Sequence, residues 1–479
     1  MIFERYKPII EDWSAFSDAC RQPLPTCIWR HPLRTTATRF TERFACDRVP
    51  ISPVAWHPGA YRLPPDFSAG RRMEYWAGLY HVQEEIALLP ALLLAPQPGE
   101  CVVDLCAAPG NKTAQIALLM QNTGSVVANE VNASRMQPLR QVINRLGLTN
   151  VTTTVSNATT FPRQSRQFDR VLADVVCSCE GTSRKNPKIL DLQKNEYCFK
   201  ITRAQTAILV KALQLCKPEG RIVYATCTYA PEENERVVQS ALEAVAPRIQ
   251  ARILSCQVVG LKWAPGLLMW QGETYRKDMA NALRIYPHLN DTGGFFVALL
   301  EKTEDSRPER ARLAFGTSSS NSTIKTVESK PLLELIENRF GISREYFERF
   351  SIFRKNSKVA SLVTNEHDLV CHPRVETVGL PLIHINMKCP KLTTSAAQTF
   401  GHLATKHVLR LDRSQADAFL RGETFQAARE QVCNFEEDGY VLAQFEEMIL
   451  GVGLFHMRGG VGEVRSQFPR AWQMSSRSN

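Results

Sequence analysis

Between Cys101 and Thr228 the chain alternates short β-rich runs with helical ones, and this alternation limits the fold more than any other feature. "CVVDLC" (Cys101–Cys106), "SVVANE" (Ser125–Glu130), "VTTTVS" (151–156), "FDRVLAD" (Phe168–Asp174) and "RIVYATCT" (Arg221–Thr228) read as five strands. A helix opening near Lys112, the run "ASRMQPLRQVINRLG" and the amphipathic run "RAQTAILVKALQLCKPEG" separate them, the last ending in a Pro/Gly turn. Pro138 interrupts the second of these runs unless it kinks the helix or starts a turn. Such alternation predicts a mostly parallel α/β sheet with helices on both faces. Ligands of such sheets bind outside the carboxyl ends of the strands, at the switch point. Those ends are Cys106–Lys112, Glu130, Ser156–Asn157, Asp174–Cys179 and Cys227–Thr228, so polar and thiol groups converge on one rim.

At 479 residues the chain exceeds one average domain. Texture divides it into residues 1–70, rich in aromatic and basic residues and proline; 71–303, the alternating region; a polar linker, 304–330, with a Ser/Thr/Asn cluster at Thr317–Thr323; and 331–479. The net charge of +10 leans towards a polyanionic partner, either nucleic acid or an anionic membrane. No membrane is expected. "MIFERYKPIIEDW" has no apolar core like that of a signal peptide, and "EEIALLPALLLAPQPGE" is too short to span and is broken by prolines. The 14 cysteines, scattered and without secretory context, read as reduced thiols of a cytoplasmic protein. There is no C-x-x-C pair and no paired Cys/His knuckle, so no metal is expected.

"LCAAPGNKT" is not a phosphate loop, because Asn111 precedes Lys112 and Cys106 stands at the first glycine position. It also lacks the dinucleotide fingerprint, which disfavours an oxidoreductase. Ala107, Ala108, Pro109 and Gly110 still allow a ligand close to the backbone, and Glu130 is placed to accept hydrogen bonds from ribose hydroxyls. Together these features favour a nucleoside cofactor over an ordinary turn. In "YATCTYAPEENE", Pro231-Glu232-Glu233 reads as a helix start with acids in its first turn, leaving Cys227 exposed at the rim. Cys177 lies 50 residues earlier (227 − 177) and would meet Cys227 if the fourth and fifth strands are neighbours. A redox disulfide between them is an alternative, but it would not need a nucleoside pocket.

"GECVVDLCAAPGNKTAQIA", "NEVNASRMQPLRQVINRLGLTNV", "LADVVCSCEGTSRKNP", "KPEGRIVYATCTYAPEENE" and "RIYPHLNDTGGFFVALLEK" resemble, in order, the motifs of RsmB/RsmF-type (Sun family) RNA cytosine-C5 methyltransferases. "GLYHVQEEIALLP" fits the same pattern, and the resemblance spans Met73 to Lys302. It implies a Rossmann-like methyltransferase sheet that binds S-adenosylmethionine through Cys106, Ala107, Ala108, Pro109, Gly110, Asn111 and Lys112, with Glu130 on the ribose. Asn157 falls beside the adenine, where the family carries an acid, and Asp174 matches the acid shared between cofactor and target base. Cys227 matches the nucleophile and Cys177 the second cysteine; spacing alone does not say which attacks. The family has proline at Val176 and glycine at Cys179 and Asn111. Losing glycine matters where φ is positive, although asparagine tolerates that region better than most residues.

Arg184 and Lys185 match a basic pair of the family and are expected to meet RNA phosphate. The resemblance makes residues 1–70 an RNA-side module, in which Trp29 is either a base-stacking or a core residue. "LDRSQADAFLRGE" and the glycine-rich run to "FPRAW" resemble the small PUA-like RNA-binding barrel of RsmF-type enzymes. The expected activity is cytosine-C5 methylation of ribosomal RNA, with transfer RNA as the alternative substrate. A non-catalytic RNA-binding or ribosome-assembly protein of the same fold is a further alternative, motivated by Val176, Cys179, Asn111 and Asn157.

Overall fold

A computed structural model describes residues 3–64, 66–163, 167–192, 195–307, 325–368 and 372–473. The Thr317–Thr323 cluster lies outside the described residues.

The strands Phe168–Asp174 and Ser125–Glu130 form as the pattern predicts. The other three are Cys101–Asp104, Val151–Val155 and Cys216–Thr226. All five are parallel and lie side by side in the order fifth, fourth, first, second, third. Val102, Val103, Val126, Val127, Val171, Leu172, Ile222 and Val223 are fully buried, as expected where helices cover both faces. Beyond the fifth strand the sheet continues antiparallel through Phe295–Asp305 and Leu283–Ile285. The chain moves outward from the first strand to the second and third, then crosses back to the fourth. The switch point therefore falls between the first and fourth strands, where the expected cofactor loop and Asp174 face one another.

Three local expectations change. "CKPEG" is no turn: Cys216 opens the fifth strand directly after the helix Asn195–Leu215, and Glu219 takes the left-handed turn at φ 63°. Pro138 sits at the third position of the helix Met136–Arg145, inside the first turn, where no intrahelical N–H donor is needed. Pro231–Asn234 precedes the helix Glu235–Val245 rather than forming its first turn.

The N-terminal region forms a four-stranded antiparallel sheet in the order Ser52–Pro53, Ala60–Leu63, Thr26–Arg30, Tyr80–Val82. Its edge strand therefore comes from beyond Gly70. The helix Ala37–Cys46 buries Phe40 and Phe44 against Ile28, Tyr61 and Tyr80. Trp29 is core, buried with its indole N–H donated to Gln83 Oε1 at 2.9 Å.

The C-terminal region holds a five-stranded and a six-stranded sheet. The latter runs Thr424–Ala427, Val461–Ser466, Met448–Arg458, Gly439–Phe445, Val408–Arg410, Val432–Cys433 around a core that includes Phe419, Val441, Leu450 and Phe455. Val375–Val378 pairs antiparallel with the third parallel strand and covers that edge of the central sheet. Among the described residues no helix is long and apolar enough to cross a membrane.

Candidate active site

Asp104 ends the first strand and shapes the loop that follows. Its carboxylate accepts from Thr113 Oγ1 at 2.7 Å and from the Cys106 amide at 3.3 Å. Gly110 turns at φ 108°, where a Cβ would press on Leu139, so glycine is needed there. The helix Asn111–Leu119 starts immediately afterwards and sets Lys112 Nζ 2.7 Å from Asp174 Oδ2 across the switch point. Glu130 is buried at the end of the second strand, accepts the Asn132 amide at 2.9 Å, and lies 3.4 Å from Arg135. Arg135 also donates to the Ala108 carbonyl at 2.6 Å.

The fourth and fifth strands are neighbours, and the two cysteines meet. Cys177 Sγ lies 3.3 Å from Cys227 Sγ and accepts the Cys227 amide at 3.3 Å. Cys179 Sγ lies 4.0 Å from Cys177 Sγ. All three are free thiols. Hydrogen bonds to the Cys179 and Cys227 sulfurs, then burial, hold the Cys177 thiol well above its usual range. At Cys227 the Cys177 hydrogen bond acts downward, but Cys179 and burial outweigh it and that thiol is raised too. Cys179 is pulled down, chiefly by the hydrogen bond from Cys177. Its backbone has φ 59°, ψ 20°, so this position keeps the left-handed conformation that glycine would meet without strain.

A cavity of about 300 Å³ opens over these groups. Cys106, Ala108, Lys112, Asp174, Cys177, Cys179, Lys185 and Cys227 line it, with Arg135 and Phe295. Ala107, Pro109, Gly110, Asn111, Glu130 and Asn157 are not among its lining residues.

Two buried acids, Glu233 and Glu180, hold the thiol loop. Glu233, fully buried, accepts the Ser178 amide at 3.0 Å and Gln205 Nε2 at 2.9 Å. Glu180 accepts Tyr6 Oη at 2.8 Å and Thr228 Oγ1 and the Tyr229 amide at 2.9 and 3.2 Å, so the N-terminal segment braces the loop. Burial raises both carboxyls above their usual range. The Gly181 amide donates to the Cys227 carbonyl at 2.9 Å and the Gly294 amide to the Gly181 carbonyl at 2.8 Å. A Cβ on Gly181 would collide with Gly294, and one on Gly294 with the Tyr229 ring. The sequence signal for Glu233 is the acidic run after Cys227; that run predicts a helix start, but Glu233 lies before the helix and turns back into the loop.

The sequence profile of the 16S rRNA methyltransferase RsmB/F family matches residues 91–301. A tRNA (cytosine(49)-C(5))-methyltransferase of Pyrococcus abyssi is 33% identical over 258 residues, 53% of this chain and 81% of that protein. The chain belongs to the RsmB/F methyltransferase family. A second profile, the PUA domain of methyltransferase RsmF, matches residues 406–474, which contain the six-stranded sheet. A ribosomal RNA small subunit methyltransferase F of Aeromonas salmonicida is 29% identical over 446 residues, 91% of this chain and 89% of that protein. A methyltransferase homolog protein from Pyrococcus horikoshii, 27% identical, matches in structure with a TM-score of 0.53 over 63% of this chain and 98% of that one.

Within this RsmB/F-family fold three of the expected site residues are engaged by the protein itself. Arg184 does not present its guanidinium to the surface. Its side chain is 1% exposed, and its donors go to the Gln22, Pro23 and Thr292 carbonyls and to Asp291. Lys185, by contrast, is exposed and lines the cavity. Asn111 does not take a left-handed conformation; it is the first helical residue, and its Oδ1 pairs with His81 Nε2 at 2.9 Å. Asn157 is exposed and caps a short helical turn through the Thr159 amide at 3.0 Å, which spends its side chain locally.

Proposed function

We propose that this protein methylates carbon 5 of a cytosine in RNA, using Cys227 as nucleophile. The observation that carries the reading is the 3.3 Å approach of Cys177 and Cys227 sulfurs in one cavity with the Lys112–Asp174 pair. The donor set suits S-adenosylmethionine. Gly110 turns the loop tightly against Leu139 so that Cys106, Ala108 and Lys112 line the cavity, Glu130 offers a buried acid for ribose hydroxyls, and Asp174 faces the strand-end cavity. Bound there, that cofactor supplies an electrophilic methyl group.

Cys227 releases its proton to solvent and adds through its sulfur to carbon 6 of cytosine; the S–C6 bond forms as the C5–C6 π bond opens, which makes carbon 5 nucleophilic. Asp174 stabilises the adduct at the base's ring nitrogen and amino group, and Lys112 fixes that carboxyl in place. After carbon 5 is methylated and loses its proton, the S–C6 bond breaks and the thiolate leaves. Cys177, within proton-transfer distance of Cys227, assists that release directly or through water.

Ribosomal RNA is the proposed substrate, because the rRNA relative matches 91% of the chain, including the C-terminal region. Transfer RNA is the second reading, favoured by the higher identity of the Pyrococcus abyssi relative, 33% over 53% of the chain. Incubation of the protein with isotopically labelled S-adenosylmethionine and separated rRNA and tRNA fractions tests both. Label in 5-methylcytosine of rRNA is the expected result; label in tRNA alone selects the second reading. Absence of 5-methylcytosine from every RNA fraction overturns the enzyme and leaves an RNA-binding protein of the same fold.

A further inference from the structure

We propose that Cys177, Cys179 and Cys227 form a binding site for one soft, thiophilic d¹⁰ cation, of the zinc–cadmium–copper(I) type, which blocks the catalytic thiols while it is bound. The three Sγ atoms all lie within 4.8 Å of one another, with separations of 3.3 Å for Cys177–Cys227 and 4.0 Å for Cys177–Cys179. A metal–sulfur bond is about 2.3 Å, which places sulfurs of one coordination sphere about 3.8 Å apart. The Cys177–Cys227 and Cys177–Cys179 separations bracket that value and the third pair lies within 4.8 Å, so side-chain adjustments of no more than about 1 Å bring the three sulfurs into one coordination sphere.

Cys179 supplies the third ligand. Cys179 stands in a left-handed turn that glycine would occupy more comfortably, and its sulfur faces the cavity beside the other two. The lack of a C-x-x-C pair or Cys/His knuckle argues against a metal only for structural zinc sites closed by four ligands. Here the ligands come from two strand ends, and the cavity leaves the fourth direction open. Thiolate sulfur selects Zn, Cd and Cu(I) over Mg or Ca, which prefer oxygen. Each coordinating thiol releases its proton to solvent as its metal–sulfur bond forms, and no electron is transferred. Arg135 and Lys185 in the same lining offset the surplus negative charge of three thiolates.

The site itself rests only on the thiol geometry, but its inhibitory effect rests on Cys227 being the nucleophile. The test titrates full-length protein, kept reduced with a phosphine, with Cd(II) and follows the ultraviolet sulfur-to-cadmium charge-transfer band. Cys179→Gly retains every other cysteine and relieves the strained turn, so it serves as the folded background. The proposal expects one tight equivalent in wild type. The variant should bind that equivalent at least about 100-fold more weakly, the upper range for losing a mere supporting group. Zn(II) should displace the cadmium competitively. Each protein's methyl transfer is then compared with its own metal-free rate, and wild type should be inhibited at lower metal concentration. Identical titration of the two proteins overturns the site. Tight, Cys179-dependent binding without loss of transfer retains the site and overturns its blocking role. That last result also counts against Cys227 as nucleophile, which the covalent-adduct experiment on Cys177→Ala tests separately.

Discussion

Cys177 Sγ and Cys227 Sγ stand 3.3 Å apart, unbonded, and the Cys177 sulfur also accepts the Cys227 amide. Removing either thiol changes the chemistry differently, while the Gly181 amide still holds the Cys227 carbonyl and Glu233 still holds the Ser178 amide. Cys227→Ala should abolish methyl transfer, because no sulfur remains to form the S–C6 bond. Cys177→Ala should still form the adduct but release it slowly, leaving RNA covalently attached. Denaturing gels of protein incubated with RNA and cofactor read both outcomes. Normal turnover by Cys227→Ala would show that the nucleophile is assigned to the wrong thiol.

Tyr6 donates its hydroxyl to Glu180, which in turn holds Thr228 and the Tyr229 amide just past Cys227. Tyr6→Phe removes one bond to a buried carboxyl and should cost about 1–2 kcal/mol of stability. Because the lost bond braces the thiol loop, kcat should fall by about tenfold, equivalent to 1.36 kcal/mol of barrier. Cofactor affinity should change little, since Tyr6 does not line the cavity. Equal losses in kcat and cofactor binding would point to general unfolding instead.

Burial pushes the Asp104 carboxyl up to about 7, against the downward pull of the Thr113 hydroxyl and the Cys106 amide. The folded pKa is thus raised above the unfolded value of about 3.9. The stability contributed by the protonated acid is complete below about pH 4 and is lost as pH rises through about 7. Asp104→Asn can accept from the Cys106 amide and donate to Thr113 without titrating. Its melting temperature should therefore decline less than that of wild type across this window. Parallel curves for the two proteins would assign the pH dependence to other groups.

Much of this was legible because strand period and turn chemistry are local. The Phe168–Asp174 run carries its own boundary, whereas the neighbouring of fourth and fifth strands, a condition in the sequence, is supplied by the structure. What was not legible depends on partners distant in sequence. Arg184 looks like any basic residue until the carbonyls of Gln22, Pro23 and Thr292 surround it. Glu233 looks like a helix-start acid until the Ser178 amide, 55 residues earlier, turns it inward. Asn111 replaces a glycine of the resembled motif, which draws attention to its backbone, but it is its side chain that pairs with His81.

Arg184 and Lys185 are adjacent, yet the structure separates their roles, and this can be measured. Arg184→Ala strips buried charge-assisted bonds to three carbonyls and an ion pair with Asp291, and should destabilise the protein by about 2–4 kcal/mol. Asp291 is more than half exposed, so its loss of a partner adds little to that figure. Lys185→Ala touches no buried network and should alter stability by less than about 0.5 kcal/mol. It should instead weaken RNA binding and reduce the slope of log affinity against log salt by about 1, the signature of one lost phosphate contact. Thermal melts and RNA binding measured across a salt series distinguish the two variants. If Lys185→Ala leaves the salt slope intact, the positive charge at the cavity mouth does not meet phosphate, and RNA must enter from another side of the thiol loop.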